Sequence, residues 1–166
     1  MNAVELAIKQ ETDGIAFYTK AAGKTSHPVG KKMFLSIIED EKRHLEALSR
    51  IFKELDITYE SVSPMERVKT VFEQSRDEMM ARIPATADDL EALRVALDME
   101  RASVDFYKKL AVEATNPKEK SLFERLIPEE EEHFRIFNNT YSFLTDSGNW
   151  YMWDEYEIVD GGTPWA

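Results

Sequence analysis

Two short stretches of the chain combine a glutamate with a histidine at the same spacing. Glu41-x-x-His44 and Glu130-x-x-His133 each place a carboxylate and an imidazole one turn apart on one face of a helix. One such pair is weak evidence in a glutamate-rich helical chain, but two of the three histidines here have one. Carboxylate and imidazole groups bind iron, manganese and zinc, so the pairs indicate a metal site built without thiolate.

The two pairs belong to an internal repeat, because Glu41 and Glu130 lie 89 positions apart. The same offset relates further residues of the two halves: Glu11 and Glu100, Phe17 and Phe106, Tyr18 and Tyr107, Pro28 and Pro117, His44 and His133. Two amphipathic helical hairpins would share alanine and leucine by chance. Chance does not easily explain matching Glu, Tyr, Pro and His at one ungapped offset.

Four glutamates occupy the middle of apolar helical stripes: Glu11, Glu41, Glu100 and Glu130. An unpaired carboxylate in the core costs several kcal/mol, so it requires a proton, a basic partner or a metal. No lysine or arginine shares these stripes. Four carboxylates balance two divalent ions, and two neutral imidazoles complete the ligand set. The alternative is an ordinary core with stray Glu–His pairs.

Oxygen and imidazole ligands without thiolate suit two ions of iron or of manganese. Zinc accepts the same ligand types but usually binds fewer of them, in tetrahedral geometry.

The hydrophobic periodicity and the capping residues predict four long helices, at 3–23, 28–55, 88–114 and 117–144. The long connection 56–87 contains a predicted short helix at 64–82. Two helical hairpins joined by a long crossover predict an all-α, ferritin-like four-helix bundle over residues 1–144.

The tail, residues 145–166, has a different composition and holds all three tryptophans. We expect it to pack on its own bundle or, as a second interpretation, on a partner subunit. Three glutamates beside Glu130 lie off its apolar stripe and are predicted to be solvated: Glu129, Glu131 and Glu132. His27 is predicted to lie at the surface.

The composition narrows the partners. A net charge of −11 repels nucleic acid and anionic membranes, so neither is expected as a partner. The absence of cysteine excludes disulfides and iron–sulfur clusters in this chain. The N-terminal segment shows no signal peptide and no membrane span, which predicts a cytoplasmic protein.

The six predicted ligands resemble those of the di-iron domain of rubrerythrins, over about residues 3–140: Glu11, Glu41, His44, Glu100, Glu130 and His133. The resemblance implies hydrogen bonds from Tyr18 and Tyr107 to site carboxylates. The chain departs from the family in two ways. It lacks a cysteine-ligated rubredoxin domain, and Ser103 stands where rubrerythrins carry an extra glutamate.

The resemblance implies a non-haem di-iron oxidoreductase that reduces hydrogen peroxide or oxygen. Glu41 and Glu130 would bridge or chelate, whereas Glu11 and Glu100 would bind terminally. Electrons would come from an external donor, a rubredoxin-like protein or another reductant. The resemblance also allows a homodimer. The alternatives are a non-catalytic, ferroxidase-like iron-handling protein and a scaffold bundle without turnover.

Overall fold

The computed structural model describes residues 1–55, 59–75, 77 and 83–145. These residues form five helices and no strand: α1 (Ala3–Lys24), α2 (Pro28–Phe52), α3 (Pro64–Gln74), α4 (Ala87–Glu113) and α5 (Pro117–Thr145). The all-α, ferritin-like fold is thereby confirmed. The four long helices match their predicted ranges closely, and α5 continues through Pro128.

Capping side chains fix where the long helices begin. Asn2 and Glu5 satisfy each other's backbone N–H groups at the start of α1, and Thr86 forms the same capping box at the start of α4. Such boxes satisfy donors that the first turn of a helix leaves without partners. In α2 and α5 a proline occupies the first position, where its missing N–H costs nothing.

Helix packing follows the internal repeat. α1 packs along α2, and α4 packs along α5, so each half of the repeat forms one hairpin. α2 also packs on α5, and α3 crosses the face that these two helices share. The predicted crossover helix at 64–82 is present as α3, which ends at Gln74. Residues 76 and 78–82 lie outside the described part of the chain.

Two apolar clusters fill the core, one on each side of the predicted ligands. The first cluster includes Tyr18, Phe34 and Phe137. The second includes Tyr107 and Phe123. The tyrosines are repeat mates, so each half of the repeat supplies one buried tyrosine to a different cluster. The polar residues between the clusters are therefore held by packed apolar layers above and below.

The prediction for His27 is wrong, because this side chain is only 1% exposed. Its Nδ1 accepts the backbone N–H of Val29 at 3.2 Å, which caps α2. Its Nε2 lies 3.0 Å from the carbonyl oxygen of Ile83 and donates to it. The residues just before α4 therefore cover the turn between α1 and α2.

None of the described helices is long and apolar enough to cross a membrane. The predicted packing of the aromatic tail concerns residues 146–166, which lie outside the described part of the chain.

Candidate metal centre

The structure brings all six predicted ligand residues into one cluster between the two apolar layers. None of them is more than 4% exposed. The cluster contains one glutamate from each of α1 and α4 and a Glu–His pair from each of α2 and α5: Glu11, Glu41, His44, Glu100, Glu130 and His133.

The cluster divides into two overlapping groups of four residues. One group adds Glu11 and His44 to a shared pair, Glu41 and Glu130. The other adds Glu100 and His133 to the same pair. Within each group, one ligand atom per residue lies within 4.8 Å of all the others. Two adjacent metal ions could therefore share Glu41 and Glu130, with one terminal glutamate and one imidazole each.

The Nδ1 atoms of both imidazoles face the carboxylates. His44 Nδ1 lies 3.1 Å from a carboxylate oxygen of Glu41 and 3.3 Å from one of Glu130. His133 Nδ1 lies 3.2 Å from Glu130 and 3.6 Å from Glu100. The nitrogen that would bind a metal is therefore Nδ1 on both rings.

The opposite nitrogen of each imidazole contacts a carboxylate from the other hairpin. His133 Nε2 lies 2.9 Å from Asp40 Oδ2, and His44 Nε2 lies 3.3 Å from Glu129 Oε1. Because an ionised carboxylate only accepts, Nε2 must carry the proton in each contact. The contact thus fixes the ring orientation and leaves Nδ1 free for a metal, as in the carboxylate–histidine–metal arrangement.

Asp40 is a further residue of the site that the helical pattern did not indicate, and the prediction that Glu129 is solvated is wrong. Asp40 is fully buried and Glu129 is only 2% exposed. The signal was present in the repeat, because Asp40 and Glu129 occupy matching positions, one turn before the two histidines. Glu131 is exposed as predicted, whereas Glu132 is half-buried and accepts a hydrogen bond from Ser63.

Arginine and tyrosine side chains hold these two buried carboxylates in place. Arg43 lies 2.6 Å from Glu129 and 3.3 Å from Asp40, and Arg67 forms an ion pair with Asp40. The hydroxyl of Tyr59 donates to Glu129 at 2.5 Å. The basic partners of the site therefore neutralise the outer carboxylates.

Tyr18 and Tyr107 connect the two hairpins through the terminal glutamates. The Tyr18 hydroxyl on α1 donates to Glu100 on α4 at 2.5 Å. The Tyr107 hydroxyl on α4 donates to Glu11 on α1. Burial is the main reason that the pKa of both phenols is raised well above its ordinary value, so both remain donors. Each hydrogen bond fixes one oxygen of a terminal carboxylate and leaves the other available.

Burial strongly affects the protonation of the inner carboxylates. The pKa of Glu100 is raised to about 8, mainly by burial and then by the charge of Glu130. Burial and then the charge of Glu11 raise the pKa of Glu41 well above its ordinary value. Glu130 differs, because its interactions with the two histidines, His133 first, outweigh burial and hold its pKa well below its ordinary value.

The imidazoles also retain protons in the metal-free protein. Burial alone would lower the pKa of His44, but hydrogen bonds with carboxylates, Glu11 first among them, raise it well above its ordinary value. His133 behaves in the same way through the charge of Glu100 and a hydrogen bond to Asp40. The interior therefore contains protons that divalent cations could replace.

Two buried oxygens of the cluster show the same requirement for a cation. Oε2 of Glu100 and Oε1 of Glu130 have no hydrogen-bond partner among the described residues. Such an oxygen is costly unless something binds it. The donor set, four carboxylates and two imidazoles, fits two divalent ions of the iron or manganese type.

The family model described as Rubrerythrin matches residues 2–141. The match includes all six clustered residues and most of the 166-residue chain. The chain belongs to the rubrerythrin family. No curated protein and no solved structure matches it significantly. Membership of the rubrerythrin family agrees with a metal centre in the cluster that the four long helices enclose.

The position that departs from the rubrerythrin pattern lies beside the cluster. Ser103 is 8% exposed and follows Glu100 by one turn of α4. Its hydroxyl accepts a hydrogen bond from the side-chain amide of Gln10 at 2.8 Å. Its repeat mate on α1 is Gly14, which is also buried. Neither residue can add a carboxylate to the centre.

Proposed function

We propose that this protein is a non-haem di-iron oxidoreductase that reduces hydrogen peroxide or dioxygen with electrons from an external donor. The observation that carries the proposal is the pair of overlapping ligand groups that share Glu41 and Glu130. Two metal ions held side by side can deliver two electrons to one bound oxidant.

The chain's own residues have separate roles in this proposal. Glu41 and Glu130 would be shared by the two ions, Glu11 and Glu100 would each help to hold one ion, and one imidazole would complete each ligand set. Asp40 and Glu129 hold the imidazoles with Nδ1 facing inward. Tyr18 and Tyr107 orient the terminal carboxylates. The apolar layers above and below exclude bulk water from the centre.

The overall reaction balances with two irons. Hydrogen peroxide accepts two electrons and two protons, its O–O bond breaks, and two water molecules form. Iron held by these residues would supply the two electrons, one from each ion. An external donor, a rubredoxin-like protein or another reductant, returns two electrons, because this chain has no cysteine with which to hold a rubredoxin-type iron. We also propose that the protein can act as a homodimer.

Stopped-flow oxidation tests this function. The protein is loaded anaerobically with Fe(II) and mixed separately with hydrogen peroxide and with oxygenated buffer, while the near-ultraviolet absorption of ferric iron is followed. We expect rapid oxidation by at least one oxidant and repeated turnover when a reductant is supplied. A Glu41→Ala variant should lose this reaction, whereas Glu46→Ala, at an exposed position on α2, should retain it.

A ferroxidase-like, iron-handling protein is the second candidate. The presence of Ser103 and Gly14, where no further carboxylate reaches the metals, favours it. This candidate predicts oxidation of the bound iron in one turnover, followed by retention or release of ferric iron without sustained consumption of reductant. Sustained consumption of reductant in the same experiment distinguishes the oxidoreductase from the iron-handling protein.

A further inference from the structure

A small cavity lies between α1 and α4, on the side of the cluster away from the histidines. Its volume is about 20 Å³, and three carboxylates line it: Glu11, Glu41 and Glu100. Since one water molecule needs about 10–15 Å³, the cavity has room for only one or two waters. Glu100 is also the residue whose Oε2 has no hydrogen-bond partner among the described residues. A molecule in the cavity would contact the ligands of both metal positions.

Four uncharged residues outside the ligand set also line this cavity: Gln10, Gly14, Met99 and Ser103. Gln10 and Met99 are partly exposed, so we take this side of the cavity as its opening towards the surface. The internal repeat pairs Gln10 with Met99 and Gly14 with Ser103. None of the four is charged, although the chain carries a net charge of −11. An uncharged opening into a carboxylate cluster suits a neutral molecule, because an anion would meet the acidic lining without a counter-charge.

The two sides of the opening differ in their contacts. On one side, Gln10 donates a hydrogen bond to Ser103 at 2.8 Å and thereby links α1 to α4. On the other side, the repeat mates Met99 and Gly14 cannot form the equivalent hydrogen bond. The Gln10–Ser103 hydrogen bond therefore narrows the opening on one side. On the other side, the flexible apolar side chain of Met99 and Gly14 leave it wider.

Gly14 leaves space that a side chain could fill. A Cβ atom built at this position would meet only Tyr18, at 4.0 Å. Glycine inside a helix costs about 1 kcal/mol relative to alanine, and close packing does not require glycine here. The missing side chain therefore keeps space open beside the cluster at some cost to helix stability.

We propose that this opening is the oxidant entrance, and that the Gln10–Ser103 bridge and Gly14 restrict it to hydrogen peroxide and dioxygen. The proposal rests on the proposed function, because it names the substrate class of the same centre. Both molecules are neutral and have two heavy atoms, which matches the cavity volume and the uncharged lining. Organic hydroperoxides carry a substituent that the bridged opening excludes. Gln10 and Ser103 act as specificity-determining residues.

Two measurements test the entrance. The first is the association rate of nitric oxide with the anaerobic Fe(II)-loaded protein, followed by absorption, because nitric oxide is a neutral diatomic probe and needs no turnover. The second is the rate of ferrous oxidation by hydrogen peroxide compared with that by cumene hydroperoxide. The variants are Gly14→Leu, which fills the opening, and Ser103→Ala, which removes the bridge. Gly23→Leu is the matched control, because Gly23 is exposed on the same helix and has no atom within 4 Å of its Cβ position.

We expect Gly14→Leu to slow nitric oxide association and peroxide oxidation by about tenfold or more, which corresponds to ~1.4 kcal/mol of added barrier. Gly23→Leu should match the wild type. The wild type should discriminate against cumene hydroperoxide, and Ser103→Ala should reduce that discrimination. The iron content of each variant is measured in parallel.

Unchanged nitric oxide association in iron-loaded Gly14→Leu would overturn the proposal. So would equal discrimination between the two peroxides in the wild type and Ser103→Ala. If Gly14→Leu does not load iron, Gly14→Ala replaces it, because alanine favours the helix while still narrowing the opening. Slower nitric oxide association in Gly14→Ala supports the entrance, and an unchanged rate overturns it. If neither hydrogen peroxide nor oxygen oxidises the wild type, the proposed function fails, and the nitric oxide rates still decide the entrance.

Discussion

The Nε2 atom of His133 lies 2.9 Å from the carboxylate of Asp40, which reaches it from the opposite hairpin. The repeat reproduces this contact between His44 and Glu129 at 3.3 Å. Each histidine is therefore oriented by the half of the repeat to which it does not belong. The two hairpins must dock before either imidazole is held with Nδ1 towards the carboxylates.

Removing either of these carboxylates should weaken metal binding without removing a ligand. We expect Asp40→Ala and Glu129→Ala each to lower the affinity for Fe(II) by about 10–100-fold, because the imidazole loses the acceptor that fixes its orientation. Anaerobic titration against a competing chelator measures the effect.

Neighbouring acidic residues provide matched controls for this prediction. Glu39 and Glu131 are exposed and lie beside Asp40 and Glu130 in the sequence. Glu39→Ala and Glu131→Ala should leave the affinity unchanged. Equal losses in the exposed and buried variants would show that general surface charge, not the histidine contact, controls the affinity.

The two tyrosine hydroxyls should stabilise the protein as well as orient ligands. Tyr18→Phe leaves an oxygen of Glu100 without its donor in a fully buried site, and Tyr107→Phe does the same for Glu11. We expect each change to lower the free energy of unfolding of the metal-free protein by about 1–3 kcal/mol. Chemical denaturation measures it.

Tyr141 offers a control for the tyrosine variants, since its hydroxyl accepts hydrogen bonds from the exposed Arg94. Tyr141→Phe should change the free energy of unfolding by no more than about 0.5 kcal/mol. A loss in Tyr18→Phe no larger than the loss in Tyr141→Phe would contradict a structural role for the buried hydroxyl.

The stability of the metal-free protein should fall as the pH rises from about 5 to about 8. The pKa of Glu100 is raised from its ordinary value of 4.5 to about 8, and burial raises that of Glu41 in the same direction. The folded chain therefore binds more protons than the unfolded chain over this range, so raising the pH favours unfolding. Thermal unfolding at a series of pH values checks the sign, and a melting temperature that rises towards pH 8 would refute it.

Metal binding should release protons over the same pH range. Divalent ions need deprotonated carboxylates and free Nδ1 atoms, and the raised pKa values of Glu41, Glu100 and His133 mean that these groups retain protons in the metal-free protein. Titration calorimetry in buffers of different ionisation enthalpy counts the protons. We expect release that decreases towards high pH and an affinity that increases with pH. Binding without proton release would show that the cluster is already ionised.

The repeat made the inner cluster predictable from the sequence. Glu41 and Glu130 each lie in an apolar stripe, and the 89-residue repeat relates the two stripes. Both stripes therefore face the core of one bundle. The helical phase of each residue was sufficient to predict the inner cluster, because the predicted ligands lie at the centre of the buried helix faces. The long helices followed from the same periodicity and from capping residues such as Asn116, whose side chain accepts the backbone N–H groups of Lys118 and Glu119 at the start of α5.

The outer carboxylates were not predictable from phase alone. Glu129 is rotated 100° from Glu130, which places it beside the apolar stripe rather than within it. It is buried because the crossover covers this face, where Tyr59 donates to it from 70 positions away. His27 was misassigned for the same reason, since Ile83, which lies in the crossover just before α4, covers it. Periodicity within one helix contains no information about which distant segment will cover its edge.

Anomalous diffraction from crystals of the iron-loaded protein would locate the metal ions themselves. We expect two iron peaks per chain, about 3.5–4 Å apart, both beside Glu41 and Glu130. One peak should contact His44 and Glu11, and the other should contact His133 and Glu100. A single peak, or iron bound outside this cluster, would contradict the account.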